Sequence, residues 1–519
     1  MDPKRLAAID IGTNSVRSII VEADEQHNIR VLDDEKESTR LGEGMGRRRT
    51  LAAAAVQRTI LALQRMTDIA RGFGAQKIET IATSAVREAK NQAAFLQRVE
   101  EEVGLKVRVI SAEEEARLAF LSFLRHFDLG TQRFLGLDIG GGSAAIISAH
   151  GPHVENIHCL DLGAVRLTEK FVRLDPITNS DYRALRKYVK RRLLALREAG
   201  ETGAQRLIGS GGTLTTIAEL HKAMRSEKYA GVHGYEMQRA QVKHVLDLLR
   251  YKTLKERRKL PGLNPERADI IVAGVTVVNQ IMKVFEINTL KISGRGIREG
   301  LILEMLAGSA GARSKLLLRK TAAGNRKESV MAFAESCRYE APHAQHVTRL
   351  ALSLYDQILK TSEGHAGYER DLLEAGGLLH DIGYFINYTR HHKHSYHLII
   401  HANLVGFSPR ELAIIANLAR YHRRAEPSPR HEEFAQLSRA DQKLVRRLSA
   451  LLRLADGLDR SHSQRIEVIN CDRFDKKTIL HLVAKQDLGI EIWGAQQKAG
   501  LFEEIFQTEV VYKHVNPKE

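Results

Sequence analysis

Leu6-Ala7-Ala8-Ile9-Asp10-Ile11-Gly12-Thr13-Asn14-Ser15 returns further along the chain as Phe134-Leu135-Gly136-Leu137-Asp138-Ile139-Gly140-Gly141-Gly142-Ser143. Asp, Ile, Gly and Ser match at one constant offset, and each copy runs into a second apolar segment, residues 16–21 and 144–148. Strand, Gly/Ser turn, strand is the pattern of a hairpin whose tip carries an acid and free backbone N–H groups. Two such copies predict two related α/β lobes facing each other across a cleft.

Working outward, helical periodicity covers 51–72 and 92–103, and strands are expected at 77–83 and 107–110. The second lobe continues through Leu207-Ile208-Gly209-Ser210-Gly211-Gly212-Thr213, read as strand, Gly turn and helix. It closes with a helix over 267–285, a strand over 289–293 and a helix after Gly296. Small, polar Gly308 to Ser314 reads as a linker. Residues 328–464 are helix-periodic and rich in histidine; beyond them strands are expected at 478–483 and 489–493, then a helix over 502–511. The chain is thus read as lobe I (1–124), lobe II (125–312), an all-α domain (313–464) and a small α/β C-terminal segment (465–519).

The chain's 519 residues exceed what one core accommodates, and its formal charge of +16 suits a polyanionic partner. Nucleic acid is the usual first guess for such a charge; polyphosphate or a highly phosphorylated nucleotide feels the same field. Charges interrupt every apolar run, so no membrane span is expected, and Met1-Asp2-Pro3-Lys4-Arg5 leads straight into a strand without a secretory signal. Cys159, Cys337 and Cys471 lie far apart, which fits a reducing cytoplasm and argues against a cysteine metal site.

Glycine at such turns lets N–H groups converge on an anion. Three turns offer this: Gly12, Thr13, Asn14 and Ser15; Gly140, Gly141, Gly142 and Ser143; Gly211, Gly212 and Thr213. Asp10 and Asp138 suit Mg²⁺, which neutralises phosphate charge, although an aspartate in a turn also stabilises its own backbone.

These motifs, with Arg40-Leu41-Gly42-Glu43-Gly44, Ala82-Thr83-Ser84-Ala85-Val86-Arg87-Glu88-Ala89, Gly163-Ala164-Val165-Arg166-Leu167-Thr168-Glu169, Pro261-Gly262-Leu263, Arg267-Ala268-Asp269 and Arg295-Gly296-Ile297-Arg298-Glu299-Gly300, resemble the exopolyphosphatase/guanosine pentaphosphate phosphatase (Ppx/GppA) family. The resemblance is dense over residues 1–310 and looser to the end. It implies two actin-like (ribonuclease H-like) lobes, Mg²⁺-dependent hydrolysis of terminal phosphoanhydrides and a homodimer. Nucleic acid falls behind polyphosphate or (p)ppGpp as the expected partner. Arg40, Arg87, Arg166 and Arg295 lie in family motifs and are candidates to hold phosphate, because arginine pairs bidentately with it.

Water attack on an anhydride needs a base. Val109-Ile110-Ser111-Ala112-Glu113-Glu114-Glu115-Ala116-Arg117 leaves a strand and enters a helix, with Ser111 and Glu114 fitting a capping box. The family's catalytic glutamate falls on Glu115; Glu114 is the alternative and Glu113 a third. The family's Gly-Gly-Gly-Ser-Thr-Glu departs here to Ser143-Ala144-Ala145, placing alanine where an acid is usual.

In the helical part, His343, His380-Asp381 and Asp456 resemble the pattern of HD-type metal-dependent phosphohydrolases, with His394 and His422 extending it toward a second ion. Histidine with carboxylate suits Mn²⁺ or Fe²⁺. The alternative is an inherited helical fold in which these residues only pack. His391, His392, His394, His397 and His401 form a loosely spaced cluster, some of which read as surface histidines beside the polyanion path. Four functions follow: an exopolyphosphatase, foremost because a long polyanion wants an extended basic channel; a pppGpp 5′-phosphohydrolase; a (p)ppGpp or polyphosphate sensor, motivated by Ala145; and, disfavoured, an ATP-driven kinase or chaperone.

Overall fold

A computed structural model describes the chain apart from residues 1–3, 25–28, 46–47, 131, 199–202, 228–230, 308–321, 360–365, 403, 475 and 518–519. The expected linker and the boundary at 312 lie outside the described residues. The chain divides into two compact units, one running to Ala322 and the other from Ala323.

In the first unit, β1 (Lys4–Ile11), β2 (Val16–Ala23), β3 (Ile29–Glu37), β4 (Lys77–Ala82) and β5 (Val107–Val109) form a sheet of order β3-β2-β1-β4-β5. β6 (Arg133–Ile139), β7 (Ala144–His150), β8 (His153–Leu160), β9 (Arg206–Ser210), β10 (Glu236–Gln238) and β11 (Thr289–Ile292) form a second, β10-β11-β9-β6-β7-β8. Apart from the added β10 the orders match: an antiparallel hairpin, then parallel strands entered through helical crossovers. Ile9 and Ile11, like Leu137 and Ile139, are buried because each central strand is covered on its faces.

The boundary read at 124 falls within the helix Ala112–His126. One side of this helix (Ala116, Phe120, Phe123) packs on Phe134, Ile147 and Ile208 of lobe II, while Leu118 joins Leu6, Ile19 and Ile81 of lobe I. The helix Ile297–Ala307 also enters the lobe I core through Leu301 and Ile302. The two helices cross where a Cβ on Gly300 would sit 2.0 Å from the Leu118 carbonyl oxygen. Glycine alone permits that approach.

The second unit is built on helices that include Ala341–Ile358, Ala366–Leu379, His391–Ile400, Pro409–Tyr421 and Arg439–Gly457, with the sheet β12 (Val468–Phe474), β13 (Lys477–Val483), β14 (Glu509–Val515). Leu448, Leu452, Leu480 and Phe502 share one core, so 465–519 is continuous with the helical bundle rather than a separate domain. Two expectations for this tail are corrected. Residues 489–493 open a helix, Gly489–Gln496, because the buried positions are Glu491, Gly494 and Ala495, a helical and not an alternating set. The helix expected over 502–511 ends at Phe506, and Glu509 onward is β14. No described helix is long and apolar enough to cross a membrane.

Candidate functional site

The two hairpin tips close on each other across a small cleft of about 120 Å³. In each tip the first glycine N–H donates to the serine carbonyl, Gly12 to Ser15 at 3.1 Å and Gly140 to Ser143 at 3.0 Å. The tips leave no room for side chains: a Cβ on Gly142 would lie 2.2 Å from Ser84 Oγ, and one on Gly141 would lie 2.9 Å from Thr13 Cβ. Gly211 holds φ +101°, with the Ile139 carbonyl where its Cβ would be, so the third turn also faces the cleft with backbone only.

Asp10 and Asp138, each at the end of its central strand, line this one cleft. Burial pushes the Asp10 carboxyl up to about 6; Asp138 and Glu299 add to this, and Arg17 and Arg298 oppose it. Asp10 Oδ1 is buried without a hydrogen-bond partner. Asp138 accepts from Ser210 Oγ at 2.5 Å and is likewise pushed up by burial. An orphaned carboxylate oxygen between buried acids suits a divalent cation.

Glu115 reaches the cleft from the first turn of its helix and is almost fully buried. Arg87 Nη1 donates to its Oε2 at 3.2 Å. Burial, Asp138 and Asp10 outweigh that single ion pair and push Glu115 up to about 8. Glu114 faces elsewhere: Ser111 Oγ accepts its backbone N–H at 3.0 Å and its side chain is ion-paired with Arg108. Glu113 is exposed. Among the three acids only Glu115 lines the cleft.

A family model described as the Ppx/GppA phosphatase family matches residues 19–308, and one for domain III of that phosphatase matches residues 325–495. The chain belongs to the Ppx/GppA family. Members of that family are phosphoanhydride hydrolases, and this chain is such an enzyme. It is 26% identical over 420 residues, 80% of each chain, to a guanosine-5′-triphosphate,3′-diphosphate pyrophosphatase of Photobacterium profundum. To the Vibrio vulnificus protein of the same name it is 26% identical over 453 residues, 86% of each. Its fold matches an exopolyphosphatase from Cytophaga hutchinsonii with TM-score 0.56 and 26% identity, over 58% of this chain and 98% of that one. The Aquifex aeolicus family member matches with TM-score 0.51 and 29% identity, over 59% of this chain and 98% of that one.

Not every arginine expected in this Ppx/GppA cleft lies there. Arg295 lines it. Arg40 is drawn off to Asp269 Oδ2 at 3.0 Å and the Glu266 carbonyl, bridging the lobes instead. Arg87 holds Glu115, and Arg166 is forked on Glu88 at 2.6 and 2.7 Å beside a neighbouring cavity. Thr213 packs against Gly274 while Thr215 of the next turn lines the cleft. Sequence reasoning left out Arg17 and placed Arg267, Arg298 and Glu299 in family motifs without a role, and all four lie on the cleft wall. Arg17 had a readable signal, because its register opposite Asp10 puts both on one face of the sheet. Arg267 is pulled down to about 10 by burial and by Arg17, a cationic surplus that favours an anion.

The second-lobe counterpart of Arg17 is Ala145, opposite Asp138. It packs with Ala116 and Phe120, outside the cleft lining, so the position where the resemblance implies an acid is apolar here.

In domain III, His343, His380 and Asp456 converge as expected from the pattern, and Asp381 meets His391 and His422. His394 is corrected: it is half-buried and outside both groups, and His391, one turn earlier on the same helix, takes its place. Of the histidine cluster, His391 and His392 are buried, and His397 and His401 are exposed.

Proposed function

We propose that the cleft removes the terminal phosphate of a guanosine pentaphosphate, with Mg²⁺ held by Asp10 and Asp138. The observation that carries the choice of substrate is a second cavity of about 380 Å³ that shares Thr13, Ser84 and Gly142 with the phosphate cleft. Its charged lining is balanced, Arg49 and Arg166 against Glu88 and Glu169, with Met45 and Val165 adding apolar wall. Such a room suits a nucleoside and offers a long polyanion no net positive charge to follow. The names of the curated relatives agree with it.

In this reading the backbone N–H groups of the three turns hold the terminal phosphate, and Arg17, Arg267, Arg295 and Arg298 balance its charge. Glu115 accepts a proton from water, whose oxygen bonds to phosphorus as the bridging P–O bond breaks. Held by Asp10 and Asp138, Mg²⁺ would neutralise phosphate charge.

The second reading, release of orthophosphate from inorganic polyphosphate, is favoured by the +16 charge of the chain. Initial rates of phosphate release from pppGpp and from long-chain polyphosphate separate the two. Val165→Phe, which fills the side cavity, is expected to lower kcat/KM for pppGpp on the order of 10-fold while sparing polyphosphate. The opposite pattern would make polyphosphate the substrate.

A further inference from the structure

Domain III carries a His/Asp cluster that the proposed hydrolysis does not use. All four of its imidazoles are buried, and each has Nδ1 engaged: His343 on Asp459 Oδ2 at 2.8 Å, His380 on the Gly377 carbonyl at 2.7 Å, His391 on the Tyr388 carbonyl at 3.1 Å and His422 on the Ala419 carbonyl at 2.7 Å. A carbonyl or carboxylate accepts, so Nδ1 carries the proton and Nε2 turns a lone pair inward. The Nε2 atoms of His343 and His380 are buried without hydrogen-bond partners.

The inward lone pairs form two nests. His391 Nε2 and His422 Nε2 lie 3.4 Å apart, and Asp381 Oδ1 is 3.1 Å from the first and 3.3 Å from the second. Arg423 Nη1 donates to His391 Nε2 at 3.2 Å, so a cation already borders this nest, while Asp381 Oδ1 is buried without a hydrogen-bond partner. In the other nest, Asp456 Oδ1 lies 3.5 Å from His343 Nε2 and 3.9 Å from His380 Nε2. Asp381 Oδ2 lies 3.8 and 3.4 Å from the same two atoms. Ligand bonds of about 2.1 Å set neighbouring ligand atoms roughly 3.0 to 3.4 Å apart, so the spacing is close to that of a filled shell.

We propose that domain III holds a dinuclear metal centre, Asp381 bridging one ion on His343, His380 and Asp456 and another on His391 and His422, and that this centre hydrolyses phosphate esters of nucleotides separately from the cleft. The donor set of imidazole and carboxylate selects a borderline ion such as Mn²⁺. Lys498, ion-paired with the second oxygen of Asp456, supplies positive charge at the same place. A nucleotide is the class that fits the rim. Tyr384 stacks on the His391 ring with centroids 4.0 Å apart and is 41% exposed; Tyr388, 5.6 Å from Tyr384, is 69% exposed. These rings offer a base a stacking face beside the ions, and Arg423, which donates to His391 Nε2 at 3.2 Å, would be released toward a phosphate once an ion takes that lone pair. The reaction is a hydrolysis: water oxygen bonds to phosphorus, the ester P–O bond breaks and the departing oxygen takes a proton, so no other reactant is required.

The test uses the full chain as Glu115→Gln, which silences the cleft, loaded with Mn²⁺ in the presence of Mg²⁺. Expected are two Mn²⁺ per chain by elemental analysis and an exchange-coupled Mn²⁺ pair by electron paramagnetic resonance, with Mn²⁺-dependent phosphate release from nucleoside 5′- or 3′-monophosphates. Asp381→Asn, close in shape to the native residue, removes the coupled spectrum and the release; His391→Gln leaves one uncoupled ion. Tyr384→Ala keeps both ions and raises KM on the order of 10-fold. Melting curves matching the parent establish that each variant is folded. Unchanged Mn²⁺ content in Asp381→Asn would overturn the metal centre. A coupled pair that releases no phosphate from any nucleotide would overturn the second activity.

Discussion

Replacing Glu115 with glutamine separates stability from turnover. In the folded protein without metal, burial and the two aspartates raise this carboxyl from 4.5 to about 8. At about 1.4 kcal/mol for each tenfold change in proton affinity, the ionised form is disfavoured by about 5 kcal/mol. The folded-state value lies above the unfolded one, so the fold loses nothing to Glu115 below pH 4.5. The loss grows as pH rises to 8 and is complete above it. Glutamine keeps the shape and removes the ionisation. The Glu115→Gln protein is therefore expected to match the parent at pH 4.5 and to exceed it at pH 9 by several kcal/mol, with about 5 as the ceiling. Phosphate release should meanwhile fall by about 10²-fold or more, the scale of a lost base. Denaturant unfolding without divalent metal at the two pH values, paired with a phosphate-release assay, measures both. An equal stability difference at pH 4.5 and pH 9, or a variant that turns over normally, would refute the placement of Glu115 as a buried, charge-crowded base.

The remaining predictions concern the same cleft and its hinge. Because the base must be deprotonated, phosphate release should rise with pH through the region near 8 at low Mg²⁺. More Mg²⁺ should move that rise to lower pH, since a cation beside Asp10 and Asp138 favours the ionised glutamate. Gly300→Ala forces a Cβ to within 2.0 Å of the Leu118 carbonyl, so the helices must part; a loss of about 3 kcal/mol by thermal unfolding is expected. Ala145→Glu places a carboxylate among Ala116, Phe120 and Phe134 and should cost about 3 kcal/mol or more, read by the same melt.

The repeated Asp-Ile-Gly hairpins were legible because alternation and a Gly turn are local properties of the chain. Repetition then required two matching sheets, and the observed orders agree. Register made Arg17 readable too, since a strand puts every second residue on one face. Arg267, Arg298 and Glu299 stand in family motifs, but no local pattern marked them as cleft residues, because contacts between distant segments bring them there. Among the three consecutive glutamates, spacing left Glu115 and Glu114 open; the start of the helix turned the first into the cleft and the second onto Arg108. The tail strand expected at 489–493 failed because alternating Gly-Ile-Glu-Ile-Trp describes either element, and burial of Glu491 against Ser461 decided for helix. His391 displaced His394 for a related reason. Both lie on one helix, and only packing against the helix that carries His422 selects the turn facing Asp381. Local pattern thus determined the turns, the acids at their tips and the histidine-bearing helices. Which charges share a buried volume depended on contacts between distant segments, and that sharing sets the proton affinity of Glu115.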